Sequence, residues 1–309
     1  SSATLFTLTA QDDALARLDG LGKGVSHTFI SVDGGSFALS SGTISFSTEG
    51  AHELRYYSMD EDGNAESTKT ARAVADHTMP RTEVAFTTGV FTDENGLVFL
   101  AAGTGVEFSA QDIGSTATAS GVGRTEYRVD AATDASFSVL QASFSLAGGE
   151  RRIEYRSIDN VGNAEPLRAM SVFVDTAQPA TSFLIGTPSF IAQSSPTFVS
   201  TQTALELIAA DPMASGRASG FKDTWLRVGE SGFAVQSGTF TLPGPDGIKT
   251  LEFFSRDHAG NMEPVVSTRA ALDATPPRTE FVVEGSSALV EGRLYVAGAS
   301  SQTILAQDP

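Results

Sequence analysis

Residues 54–66 read LRYYSMDEDGNAE, and the chain returns to the same phrase as IEYRSIDNVGNAE from Ile153 and LEFFSRDHAGNME from Leu251. Each copy joins an alternating apolar strand to a turn of Asp, Gly and Asn. Successive strand side chains point to opposite faces, so Leu54, Tyr56 and Ser58 share one face. Ile153, Tyr155 and Ser157 do the same, as do Leu251, Phe253 and Ser255. Asp60, Asp159 and Asp257 stand 99 and 98 residues apart, and Gly63, Gly162, Gly260 and Asn64, Asn163, Asn261 keep that interval.

Two further ladders run in the same register. One is an aspartate closing an apolar strand: Asp12 after LFTLTAQ, Asp112 after VEFSAQ, Asp211 after LELIAA and Asp308 after TILAQ. The other is a linker, DHTMP from Asp76, DTAQP from Asp175 and DATPP from Asp273, with Thr82, Thr181 and Thr279 two residues beyond the last proline. Three ladders in one register define a repeat of about 98 residues.

Within a repeat the elements read as strands. TEVAF, TSFLI and TEFVV open the units and are followed by LVFL, TFVS and LYVA. The runs TEYRV, TWLRV and TFISV place Tyr127 and Val129, Leu226 and Val228, and Ile30 and Val32 on one face. No segment sustains a 3.6-residue apolar period for three turns. Seven or eight short strands per unit predict a two-sheet antiparallel sandwich. The fold class expected is all-β, with tandem immunoglobulin-like antiparallel β-sandwiches arranged as a rod, because an Asp-x-x-x-Pro linker without a glycine run is short and stiff.

The order DATPPRTEF, LYVAGASSQTILAQD, SG followed by TEYRVD, and IEYRSIDNVGNAE resembles the bacterial immunoglobulin-like repeats strung in tandem in large cell-envelope and extracellular proteins. The resemblance covers essentially the whole chain. It implies surface display, spacing or adhesion, an extracellular or cell-surface location of bacterial type, and no shared catalytic residues. The expected units are residues 1–75, a repeat lacking its first strands; 76–174 and 175–272, two complete repeats; and 273–309, the opening strands of another.

Composition agrees with an exported β protein. Lys and Arg number 20 against 37 Asp and Glu, a formal net charge of -17, which disfavours nucleic acid and suits a surface that uses divalent cations. No apolar run approaches a membrane span, so no membrane insertion is expected. Cysteine is absent, which removes disulfides and thiolate metal sites. The chain opens within a strand pattern, without a start methionine or an apolar leader, and is expected to be part of something longer.

Topology gives the acidic turns a second meaning beside that of ordinary hairpin chemistry. If the Asp-Gly-Asn turn joins the last two strands, it lies at the end of the sandwich where the chain enters, beside the linker and the loop after the VEFSA-type strand. One junction then gathers Asp76, Asp112, Asp159 and Asn163, with Glu165 nearby. The next gathers Asp175, Asp211, Asp257 and Asn261, with Glu263 nearby. Such oxygen-rich junctions are expected sites for Ca2+, the one cofactor the sequence points to.

Trp225 alternates with Leu226 and lies on the outer face, where it is a candidate sugar-binding residue or a packing contact. The four histidines (His27, His52, His77, His258) occupy non-equivalent positions, Lys23, Lys69, Lys222 and Lys249 share no strand position, and no nucleophile elbow or phosphate loop is present, so no enzyme is expected. The leading reading is a structural segment of an extracellular stalk, sheath or filament. The alternatives are an adhesin or carbohydrate-binding surface module, or the spacer of a larger secreted enzyme. Expected partners are neighbouring copies or repeats of the same protein, and surface glycans or proteins. The incomplete end repeats are completed either by continuation of the chain or by strand addition between molecules.

Overall fold

The computed structural model describes residues 5–12, 23–114, 118–132, 135–191 and 196–308; Ser1 and Pro309, the expected outer limits, lie outside them. The chain divides into two compact units, residues 1–174 and 175–309, and the division falls at the start of the third expected repeat. Both units are built of small, almost entirely antiparallel sheets. Among the described residues no helix is long and apolar enough to cross a membrane.

In the first unit, the second repeat forms two sheets. One has the order Phe144–Ser145, Gly105–Asp112, Pro80–Phe86. The other runs Ser138–Val139, Val122–Val129, Gly149–Asp159, Arg168–Asp175, Val98–Ala101, Val90–Thr92. The alternation along Gly149–Asp159 decides which side faces in: Ile153 and Ser157 are fully buried and Tyr155 nearly so. They pack with Leu100, Val106, Val172 and Val174, and with the half-buried Phe108, Tyr127 and Phe144.

The third repeat, in the second unit, follows the same plan. Leu205, Leu226, Leu242, Leu251, Phe253 and Leu272 form its core. One pairing there is parallel, Thr197–Val199 against Val266–Leu272. The fourth segment forms two hairpins, Arg278–Glu284 with Ser301–Gln307 and Ser287–Val290 with Arg293–Val296.

The first repeat is thinner. Its larger sheet runs Ala38–Leu39, Val25–Val32, Gly50–Asp60, Lys69–Ala75, and its smaller sheet is Phe6–Thr7 with Thr43–Ile44. Leu54 is buried, whereas Val32, on its apolar face by period, is exposed. Aromatic contact substitutes for depth: Phe46 stacks on His52 with ring centroids 4.1 Å apart and meets Phe6 at 5.2 Å.

His52 is held at both ring nitrogens, Nδ1 donating to Asp33 Oδ2 at 2.7 Å and Nε2 to the Thr48 carbonyl at 2.9 Å. The bond to Asp33 raises the His52 pKa and lowers that of Asp33. A raised histidine stabilises fully below its unfolded value and loses that contribution as pH rises through the folded one. A lowered aspartate contributes above its unfolded value and loses it as pH falls through the folded one. The first repeat is therefore expected to weaken as pH climbs through a His52 midpoint above the ordinary 6.5 or so. An NMR titration placing that midpoint at or below the value of free histidine would disprove the pairing.

Candidate metal centre

Three strand ends build each acidic cluster. Asp76 follows Lys69–Ala75, Asp112 closes Gly105–Asp112 and Asp159 closes Gly149–Asp159. The turn after Asp159 needs a left-handed residue, supplied by Gly162 at φ 96° and by its equivalents Gly63 and Gly260. Asp76, Asp112 and Asp159 each bring one carboxylate oxygen within 4.8 Å of the others, and Asp175, Asp211 and Asp257 do the same in the second unit. Asp76 and Asp159 are buried, Asp175 and Asp257 completely so, while Asp112 and Asp211 are half-buried.

The two clusters share most of their bonds and differ at the turn, where Asp159 Oδ1 takes the Val161 amide at 2.9 Å but Asp257 Oδ1 that of Gly260 at 2.6 Å. Asp76 accepts from the amides of Thr78 at 3.1 Å and Ser120 at 2.6 Å, and Asp175 from those of Ala177 at 3.1 Å and Ser219 at 2.6 Å. Asp112 Oδ2 takes the Gly121 amide and Asp211 Oδ2 the Gly220 amide, each at 2.8 Å. Asp159 Oδ1 takes the Asn163 amide at 2.7 Å, as Asp257 Oδ1 takes that of Asn261 at 2.8 Å. In both clusters the second oxygen of the middle aspartate, Asp112 Oδ1 or Asp211 Oδ1, is buried and has no hydrogen-bond partner. Ser120 Oγ, in the first cluster, is buried and unpartnered as well.

An orphaned anionic oxygen inside a protein is costly unless something pairs with it. Two carboxylates about 4.8 Å apart repel by on the order of 3 kcal/mol at an effective dielectric near 20. Asp33, Asp62, Asp130 and Asp223 each form an ion pair with a basic residue; Asp76 and Asp211 feel only the weaker charges of His77 and His258, which act downward on their pKa values. The pKa values of Asp211 and Asp257 are both raised, first by burial; for Asp211 the charge of Asp175 comes next, whereas for Asp257 burial outweighs the opposing bonds from Asn261 and Gly260 and the charge of Asp175 adds least. Burial acts upward on Asp76 too, but the Ser120 and Thr78 donors outweigh it and its pKa is lowered.

The donor set fits a hard divalent cation. Ca2+–oxygen bonds of about 2.3–2.6 Å place ligands across the ion up to about 5 Å apart, which accommodates the observed separations. Asn163 and Asn261, expected as oxygen ligands, enter through nitrogen. Asn163 Nδ2 donates to the Asp76 carbonyl at 2.9 Å and to Asp159 Oδ2 at 2.6 Å, and Asn261 Nδ2 to the Asp175 carbonyl and Asp257 Oδ2. Both neighbours are acceptors, so the amide nitrogen must face them. Each asparagine positions the linker and one carboxylate.

Glu165 and Glu263 are not in the clusters at all. Glu165 Oε1 accepts from the Ser157 amide at 2.8 Å and from Thr82 Oγ1, while Oε2 accepts from the Thr82 amide at 3.3 Å. Glu263 repeats the arrangement with Ser255 and Thr181. Hydroxyls continue it, Thr82 to Ser157 to Thr125 and Thr181 to Ser255 to Thr224, over 2.6–2.8 Å. Both glutamates thus latch the opening strand to the core. The threonine after the linker proline, beside a repeated Ser and Glu, is the sequence signal that marked this network.

No protein-family description matches the sequence, and no curated protein matches it. Solved structures similar at low identity include the following three. The fibronectin(III)-like modules of Clostridium thermocellum CbhA are 13% identical, with 62% of this chain and 95% of theirs covered and a TM-score of 0.37. A tetra-tandem repeat in the extending region of a large adhesion protein is 18% identical, covering 85% and 70%, with a TM-score of 0.25. A 1.5-MDa bacterial ice-binding adhesin is 13% identical, covering 81% and 90%, with a TM-score of 0.30.

Trp225 lies away from the clusters, on the outer face of Phe221–Val228. It is half-buried, its Nε1 donates to Asp223 at 2.9 Å, Phe254 lies parallel to it and the Arg256 guanidinium covers its ring 5.1 Å from the centroid. In the second repeat Glu126 takes the matching place, buried under Arg124 and Arg156. Two further acids hold the linkers without any recurring signal in the sequence. Glu49 accepts from Thr78 Oγ1 at 2.6 Å and Thr118 Oγ1 at 2.8 Å. Asp246, at the equivalent place, accepts from the Ala274 amide and Thr275 Oγ1.

Proposed function

We propose that this chain is a non-catalytic, Ca2+-binding tandem-sandwich region of an extracellular adhesion-type protein, in which the cation fixes the linker to the sandwich that follows it. The observation that carries this reading is the aspartate triad built twice, each time with the same buried carboxylate oxygen of the middle aspartate left without a partner. The linker aspartates Asp76 and Asp175 are members of the triads, so an ion there joins the linker, the end of the strand that closes at Asp112 or Asp211 and the Asp-Gly-Asn turn. A stiff, extended run of repeats and an outward-facing adhesive surface are part of the same proposal.

Isothermal titration with Ca2+ is expected to show two sites per chain. A cation at a hundred times its dissociation constant stabilises the folded state by about 2.7 kcal/mol, which corresponds to a shift of roughly 10 °C or more in Tm for a domain of about 100 residues. A chelator that leaves both Tm and the heat of Ca2+ addition unchanged would reduce the triads to turn chemistry.

A further inference from the structure

The outer face of the first repeat carries an apolar row laid across three neighbouring strands. Leu39 stands directly opposite Phe29, and Phe29 opposite Tyr57. Phe29 and Tyr57 stack with ring centroids 5.0 Å apart, and Phe37 meets Tyr57 edge-on at 5.1 Å. Leu39 is 59% and Phe37 38% exposed. Opening strands leave this face uncovered where they are present: in the second repeat Pro80–Phe86 joins the opposite sheet and Val98–Ala101 adds beyond Arg168–Asp175. Val139 and Val235, which take the place of Leu39 in the second and third repeats, are exposed as well.

Beside the row lies a cation without a counter-ion. In each repeat a guanidinium sits over the phenylalanine of the loop after Val25–Val32, Val122–Val129 or Phe221–Val228: Arg55 over Phe37, Arg128 over Phe137 and Arg227 over Phe233. In the second and third repeats a glutamate stands opposite that arginine, Glu154 or Glu252, and the two form an ion pair. In the first repeat the arginine lies on the glutamate's strand and faces Ser31. Glu53, two residues away on the same face, is taken by Arg72 at 3.1 Å. Arg55 is exposed and forms no ion pair among the described residues, although acids outnumber bases by 37 to 20 in the chain.

A sugar ring bearing a carboxylate supplies what this face lacks. Sugar C–H groups carry partial positive charge and suit the negative faces of aromatic rings, and a guanidinium takes a carboxylate through two parallel N–H···O bonds. The row is four side chains, far short of the roughly 800 Å2 per partner that a stable protein interface covers, so it suits one end of a glycan and not a second folded chain.

We infer that this face binds an acidic saccharide, its pyranose ring resting on Phe37, Leu39 and the Phe29–Tyr57 pair and its carboxylate held by Arg55. That partner belongs to the adhesive surface proposed above, on which this assignment rests, and the aspartate triads take no part in holding it. The test titrates the whole chain with a hyaluronan tetrasaccharide, whose glucuronates carry the carboxylates, and with the same tetrasaccharide methyl-esterified, by saturation-transfer NMR and calorimetry, in Ca2+ and in chelator. A dissociation constant on the order of 1 mM is expected for the acid, and binding about tenfold weaker for the ester, in both conditions. Arg55→Gln is expected to leave Tm unchanged and weaken binding of the acid about tenfold, and Leu39→Ser to weaken acid and ester alike about threefold. Equal affinity for acid and ester, or for the parent and Arg55→Gln, overturns the inference, as does the absence of binding at about 10 mM. Equal uptake of a polyglutamate peptide overturns the saccharide as occupant. Saccharide binding by a chain that takes up no Ca2+ overturns the calcium reading alone, and Ca2+ uptake without saccharide binding overturns the acidic saccharide alone.

Discussion

Replacing Glu263 by alanine is expected to destabilise the third repeat by about 3–5 kcal/mol, the largest single effect on folding outside the apolar core. The carboxylate accepts from three donors: the Ser255 amide at 2.7 Å, the Thr181 amide at 3.1 Å and Thr181 Oγ1. Removing it strands them where Ser255 is fully buried, and each orphaned donor costs about 1–3 kcal/mol. The chain has one tryptophan, Trp225, so urea unfolding followed by its fluorescence reports on this repeat alone. Glu66→Ala supplies the control in the first repeat, since Glu66 receives one amide and Lys69 and holds no threonine. Its cost, read by hydrogen exchange along Gly50–Asp60, is expected to stay below about 1 kcal/mol. Equal losses from the two substitutions would show that the threonine latch adds nothing.

Asp211→Asn is expected to change sign with the cation. Without Ca2+ the aspartate is a burden, its pKa raised by burial and by the charge of Asp175. A carboxyl whose folded pKa lies above its unfolded value binds its proton more tightly when folded, so stability falls as pH rises through that folded value. Asparagine keeps the acceptor for the Gly220 amide, discards the charge and turns an amide nitrogen toward neighbouring acceptors. In chelator the variant is therefore expected to be more stable than the parent by about 1–2 kcal/mol. In saturating Ca2+ the order reverses, because the increment of about 2.7 kcal/mol at a hundredfold excess over Kd is lost. Trp225 fluorescence melts with and without chelator measure both arms. A variant that is less stable in both conditions would mean that Asp211 is needed for its hydrogen bond to Gly220 alone.

The residues that made the architecture legible are those whose spacing recurs. Asp76, Asp112 and Asp159 belong to three separate ladders, and a sandwich topology brings the ends of those ladders to one place. The inward face of the long strand was equally plain, because Ile153, Tyr155 and Ser157 alternate with charged neighbours. What the pattern could not convey was direction at the atomic scale. By position Asn163 is expected to be an oxygen ligand, but its amide nitrogen is turned inward by two acceptors. Glu165 follows Asn163 by two positions and was read into the cluster. The turn instead pairs its amide with the Ser157 carbonyl, which carries its side chain back along the strand to Thr82. The orphaned oxygens of Asp112 and Asp211 have no counterpart in composition or spacing, since they depend on which of two chemically equal atoms a loop amide reaches first. The parallel pairing of Thr197–Val199 is likewise set by where a connection leads and not by periodicity.

The double grip of Asn163, one hand on the Asp76 carbonyl and one on Asp159, has a mechanical meaning. A pull transmitted along Lys69–Ala75 arrives at Asp76 and passes directly into the end of Gly149–Asp159, the central strand of the next sheet. An ion bridging the same aspartates would add its coordination bonds in parallel, so the force at which this junction yields would be tuned by the calcium concentration of the surroundings.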